Sequence, residues 1–128
     1  MKVSGKLLSG LVELAREAKP REVGGLLLQK KSVVSDFVLM PGEFTTHSVY
    51  VRYYDVPIYP SSVGTFHSHP APRGRLPGSY LGGPSRADKD FFSRMGRFHL
   101  ILADPFSIKT ASAWDGRGKP ASIELVSR

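Results

Sequence analysis

The stretch Val63-Gly64-Thr65-Phe66-His67-Ser68-His69-Pro70 sets the frame for the whole chain. Its β-branched and aromatic residues, closed by Pro70, predict an extended strand over Val63–His69. In a strand, side chains two apart share one face, about 6.5–7 Å from each other. His67 and His69 therefore point together and Ser68 points to the other side. Two imidazoles held that way can converge on one ion at about 2.0–2.1 Å each. The same pair also reads as two half-exposed histidines at a strand end, and the motif alone does not choose.

Working outward, Leu7, Leu11, Leu14, Ala15 and Ala18 recur at three- and four-residue spacing. They predict an amphipathic helix over residues 4–19, capped by Ser4 and stopped by Pro20. Val23–Gln29 and Val33–Met40 read as a hairpin across the polar turn Lys30-Lys31-Ser32. Thr45–Tyr54 reads as a further strand. A second helix is expected from Pro84-Ser85 to about Arg94, followed by strands over Phe98–Ala103, Ile108–Trp114 and Ser122–Val126. Helix, strands, helix and strands in that order give an α/β fold, one mixed sheet flanked by helices, with residues 1–128 as a single domain.

Composition narrows the chemistry. The chain of 128 residues has no cysteine, which removes disulfide scaffolds, iron–sulfur clusters, zinc ribbons and cysteine nucleophiles. Any bound metal must then be held by four histidines (His47, His67, His69, His99), carboxylates, backbone or water. No apolar run reaches the roughly 18 residues of a membrane span, and no secretory signal pattern opens the chain. A cytoplasmic protein is expected. The net charge of +7 points to an anionic partner or to solubility alone.

Two more features bear on the histidine pair. In Pro84-Ser85-Arg86-Ala87-Asp88 a serine precedes an acid by three residues, a variant capping box. Asp88, in the first helical turn, is also placed to supply a third ligand oxygen, and the two readings are compatible. Glu22 lies before the apolar run Val23–Gln29, beside Gly24 and Gly25. A surface glutamate is the plain reading. A hydrolytic zinc site, however, needs a carboxylate that is not a ligand, to take a proton from water and pass it to the leaving amine. His47 and His99 sit within expected strands and read as structural histidines.

Taken together, Glu22, His67-Ser68-His69-Pro70 and Ser85-x-x-Asp88 resemble the signature of the JAMM (MPN+) zinc metalloproteases, in the minimal archaeal and bacterial form. The resemblance spans nearly the whole chain. It implies a cytidine deaminase-like fold, with one Zn2+ per chain on His67, His69 and Asp88. It implies Glu22 as general acid/base and Ser85 as the donor that stabilises the oxyanion. The implied activity is that of a metallo-isopeptidase, metal-activated water attacking the (iso)peptide carbonyl that joins a ubiquitin-like small modifier to its conjugate. The deaminase zinc signature itself needs cysteines and is excluded.

One departure stands out. The family places seven residues between the second histidine and the serine, whereas Pro70 to Pro84 make fifteen here. Lengthening a flexible loop that much costs roughly 0.7 kcal/mol in closure entropy, so Asp88 can still reach the metal. Asp90 is the reserve if the register shifts, but it lacks a serine three residues before it. The insert reads as a lid or substrate-selecting loop, with Arg73, Arg75 and Tyr80 as its substrate-binding candidates, or as a plain surface excursion.

Two other functions compete. One is a JAMM-fold hydrolase acting on another amide, such as a sulfur-carrier protein tail. The other is a basic nucleic-acid-binding domain, suggested by Arg73, Arg75, Arg86, Lys89, Arg94 and Arg97 around the site. No recognised nucleic-acid module is visible, and the basic charge equally suits an acidic modifier protein.

Overall fold

The computed structural model describes residues 1–39, 42–44, 49–51, 61–70, 84 and 86–127, with backbone alone for 42–44, 49–51 and 87. The chain runs β1 (Lys2–Ser4), α1 (Gly5–Ala18), β2 (Gly24–Lys30), β3 (Val33–Leu39), β4 (Gly42–Phe44), β5 (Val49–Val51) and β6 (Ser62–His69). It continues with α2 (Arg86–Phe92), β7 (Phe98–Ala103), a 3-10 turn (Ile108–Thr110), β8 (Ala111–Trp114), β9 (Pro120–Ala121) and β10 (Glu124–Val126). Among the described residues eight strands form one mixed sheet in the order β10-β1-β3-β2-β6-β7-β8-β9, and β4 pairs with β5 apart from it. The α/β architecture expected from the sequence is present. Among the described residues no helix is long and apolar enough to cross a membrane.

Helix α1 begins where Ser4 Oγ accepts the backbone N–H of Leu7 at 3.1 Å, satisfying one of the free donors of the first turn. Its stripe of Leu7, Leu8, Leu11, Val12 and Ala15 is buried against Val34, Phe66, Phe98, Leu100 and Leu102 of the sheet. Burying a leucine of this kind is worth about 1.5–3 kcal/mol, so this contact fixes which face of the sheet the helix covers.

Strand β6 sits between antiparallel β2 and parallel β7, with Thr65 opposite His99, Phe66 opposite Leu100, and His67 opposite Ile101. The pleat therefore sends Phe66 and Ser68 toward α1, and Thr65, His67 and His69 toward α2. Both faces are covered: His67, Ser68 and His69 are all buried.

Several elements differ from the sequence reading. Ile108–Thr110 is a 3-10 turn rather than the start of a strand. Thr110 Oγ1 accepts from Ser107 N–H at 3.0 Å and donates to Ala103 O at 2.8 Å, curling the segment before β8 begins. Within the expected strand Thr45–Tyr54, the described part is Val49–Val51, paired with an unforeseen Gly42–Phe44. Helix α2 ends at Phe92 because a tighter turn takes over, Arg94 N bonding Phe91 O and Met95 N bonding Phe92 O. Strand β1 was unforeseen: three residues carry too little periodicity, and its pairing with β3 and β10 is long-range.

The β2–β3 hairpin closes through Lys31 (φ 51°) and Ser32 (φ 66°), the positive values of a type I′ turn. Side chains with a Cβ are strained there. Ser32→Gly should raise stability by about 0.5–1 kcal/mol, since the relief of strain exceeds the added chain entropy. Urea unfolding of the two chains checks it, with an unchanged or lower midpoint contradicting the turn assignment.

Candidate metal centre

The shared face of β6 brings the two histidine rings together, with centroids 4.7 Å apart and planes tilted by 54°. Their Nε2 atoms lie 2.9 Å apart. Asp88, in the first turn of α2, faces both: Oδ1 is 3.3 Å from His67 Nε2 and Oδ2 is 3.2 Å from His69 Nε2. One ligand atom from each of these three residues falls within 4.8 Å of the others. For ligands about 2.05 Å from a tetrahedral ion, the ligand–ligand edge is roughly 3.3 Å, so the donors already stand near the spacing an ion requires. Nitrogen and carboxylate oxygen lone pairs converging on one point repel unless a proton or a cation lies between them. The donor set, two imidazole nitrogens and a carboxylate, fits a divalent metal.

Burial holds His67 below the ordinary histidine range, against the opposing pull of Asp88, and so keeps it neutral and ready to ligate near pH 7. Behind it, His99 lies flat against Phe92, ring centroids 4.2 Å apart and planes within 9°. His99 Nε2–H donates to Gly96 O at 3.1 Å, leaving Nδ1 to accept from the Thr65 hydroxyl at 2.8 Å. Burial outweighs the Gly96 carbonyl and lowers the His99 pKa to about 4, so the ring is neutral. Phe92 follows Asp88 by four residues and lies on the same side of α2. The stack on His99 therefore sets the rotation at which α2 presents Asp88. His99 is a structural histidine, as its place in a strand suggested.

Glu22 reaches the same centre from another direction. Ser68 Oγ accepts Val23 N–H at 2.9 Å, and Ser68 N–H donates to Val23 O at 2.8 Å. Val23 packs on the α1 side of the sheet, so its neighbour Glu22 projects toward the histidines. Burial pushes the Glu22 carboxyl up from 4.5 to about 7, with His69 pulling it down and Asp88 pushing it further up. A half-buried carboxyl of that pKa, close to a ligand set but outside it, is poised to accept and return a proton at neutral pH.

Of the residues singled out from sequence, His67, His69, Asp88 and Glu22 are thus brought together. Asp90 pairs instead with Arg94 at 3.4 Å, so the reserve ligand is engaged elsewhere. Ser85, Arg73, Arg75, Tyr80 and His47 lie outside the described residues. Sequence reasoning missed Ser68 as the clamp on Val23, and Phe92 and Thr65 as supports. Only the i+4 spacing of Asp88 and Phe92 hinted at the last pair of roles. Gly25 lets the neighbouring backbone come close: a Cβ there would run into Val38 O and the Phe66 ring.

A model of the prokaryotic homologues of the JAB domain matches residues 4–115. The chain belongs to this family. Among solved structures, a JAB1/MPN domain protein from Archaeoglobus fulgidus is similar over 98% of this chain and 97% of its own, at 28% identity and a TM-score of 0.72. A structure described as a metalloprotease-like zinc site in the proteasome and signalosome is similar over the same shares, at 26% identity and a TM-score of 0.72. A protein from Desulfitobacterium hafniense, 18% identical, shares the fold at a TM-score of 0.54, with 99% of this chain and 93% of that one covered. No curated protein matches. In this JAB-family chain the His-His-Asp constellation is a candidate metal site carried by a fold that elsewhere holds zinc.

Two outcomes follow from the geometry. His67→Ala and Asp88→Ala should each lower affinity for Zn2+ or Co2+ at least a hundredfold with the fold retained, read by metal titration and circular dichroism. In the metal-free chain, folding raises the Glu22 pKa from 4.5 to about 7, so the folded state binds the proton more tightly. Stability is then lost as pH rises from 4.5 through 7. Glu22→Gln should accordingly be more stable than the parent at pH 8 and equal to it at pH 4, as urea unfolding at the two pH values would reveal.

Proposed function

We propose that the chain is a zinc-dependent isopeptidase that releases ubiquitin-like small modifier proteins from their conjugates. The observation that supports it most is the placement of Glu22, a half-buried carboxyl beside the His-His-Asp set and outside it. His67, His69 and Asp88 would hold the ion. A bound zinc supplies Lewis-acid polarisation and makes water acidic enough to ionise near pH 7. Glu22 would accept a proton from the attacking water and return it to the departing amine nitrogen. Ser85, immediately before α2 in sequence, is assigned by family resemblance to the oxyanion. The substrate is an extended tail, and the reaction breaks its terminal C–N bond with addition of one water.

Surface charge supports a protein partner with an acidic face. The turn after β8 packs on α2, where Gly118 (φ 76°) approaches the aliphatic stem of Lys89. Exposed Arg86, Lys89 and Arg94 lie on or just after α2, and exposed Arg117 and Lys119 lie on the turn packed against it. The acids among them are engaged: Asp90 by Arg94, and Asp115 by the backbone N–H groups of Arg117 and Lys119, which hold its carboxyl below the usual range.

The zinc-loaded chain should cleave a ubiquitin-like modifier linked through Gly-Gly to lysine, and Glu22→Gln should lower kcat about 10²–10⁴-fold while keeping full zinc occupancy. Cleavage unaffected by Glu22→Gln, or no cleavage of any modifier fusion or isopeptide conjugate by the zinc-loaded chain, overturns the proposal. Arg117→Glu with Lys119→Glu should raise KM several-fold at low salt and little at 0.5 M salt, with kcat preserved. Salt-steep binding to duplex DNA that survives chelation would favour the nucleic-acid reading instead.

A further inference from the structure

The mechanism above leaves one buried charged group unused. Asp104 follows β7 and is only 3% exposed, yet its sole cationic partner among the described residues is Lys19, whose Nζ donates to Oδ1 at 3.0 Å. Its Oδ2 is buried with no hydrogen-bond partner among the described residues. Burying a carboxylate with one ligand-poor oxygen lowers stability, and an apolar pair of similar size would serve the core better. The pair therefore has to be explained by where it holds the chain.

Both ends of it adjoin the candidate centre. Asp104 N–H donates to the carbonyl of His69 at 3.1 Å, so the carboxylate is anchored to the strand residue that carries a candidate ligand. Lys19 is the C-cap of α1 and stands three residues before Glu22. The link between them is short. Arg21 N–H bonds Ala18 O at 2.9 Å, and Val23 is clamped by Ser68 beyond Glu22. The end of α1 is tied to the same turn a second time, Arg16 Nη2 donating to Phe106 O at 2.6 Å. Apolar packing of Leu8, Leu11 and Ala15 already places the helix, but it does not fix the three residues that leave it. Without a tether at Lys19, among the described residues backbone bonds alone hold the helix side of the link to Glu22, and the Ser68 clamp on Val23 holds the other side.

We infer that the Lys19–Asp104 pair is a positioning device that fixes Glu22 relative to His69, and that Lys19 and Asp104 act on the reaction only through Glu22. The inference rests on the isopeptidase reading for its kinetic consequence, and on the geometry alone for its structural one. The pair spans a stretch where a small displacement matters, because a proton-transfer partner has to sit within hydrogen-bond reach.

The test uses the zinc-loaded full chain with Lys19→Met, Lys19→Arg and Asp104→Asn, and an internally quenched peptide containing a Gly-Gly–lysine isopeptide bond. Lys19→Met keeps the stem but leaves the buried Asp104 carboxylate without its cation, whereas Asp104→Asn removes that charge and half-exposed Lys19 stays solvated, so Asp104→Asn carries the same readouts if Lys19→Met does not fold. Expected are a fall in kcat of at least tenfold with KM within twofold, unchanged zinc affinity, and restoration toward the parent in Lys19→Arg. Amide hydrogen exchange should quicken at residues 21–23 and stay unchanged in β6 and α2. Unchanged exchange at residues 21–23 in Lys19→Met overturns the inference, as does loss of zinc affinity or a rise in KM equal to the fall in kcat. If the parent chain cleaves no modifier substrate, the proposed function falls while the exchange measurement still decides the positioning role.

Discussion

Everything at the candidate centre depends on β6 being buried on both faces. A strand has only two directions for its side chains, and here each is committed to a different neighbour. Phe66 meets the apolar stripe of α1, and the alternate residues Thr65, His67 and His69 meet α2. A slip of one residue against β2 or β7 would turn the histidines into the apolar core and Phe66 toward the carboxylate of Asp88. The hydrophobic burial that stabilises the fold thus also sets the register on which the metal geometry relies.

From that strand the polar groups are arranged in dependent layers. The ligand triad is compact because Asp88 is delivered by a short helix whose rotation is set by Phe92 lying flat on His99. Neutral His99, bonded to Thr65 and Gly96, supplies a flat surface without a competing charge. Glu22 enters from the residues just before β2, where Ser68 uses both its hydroxyl and its amide to hold Val23.

The electrostatics follow the same order. Burial penalises charge on His67 and on Glu22, which leaves the first as a neutral donor and the second titrating near 7. These opposite pKa shifts, each toward the neutral form, have one leading cause, desolvation by burial. Cationic side chains remain on the outside, on α2 and on the turn after β8.

Much of this was legible in the linear sequence. The period of Leu7, Leu11 and Ala15 marked α1, and alternation at His67 and His69 placed two imidazoles on one face, because both periodicities are local properties of the backbone. The absence of cysteine confined the metal options to histidine and carboxylate. Spacing also left the family pattern visible despite the longer segment before Ser85. Sequence did not settle whether Asp88 caps a helix or faces the imidazoles, since that depends on Phe92 finding His99, a contact made across the fold. Nor did it reveal β1, the 3-10 turn at Ile108–Thr110, or the tie from Lys19 to Asp104. These rest on partners 30 to 120 positions away or on competing local hydrogen bonds. Local pattern chose the residue types and their faces; long-range packing alone chose which faces meet.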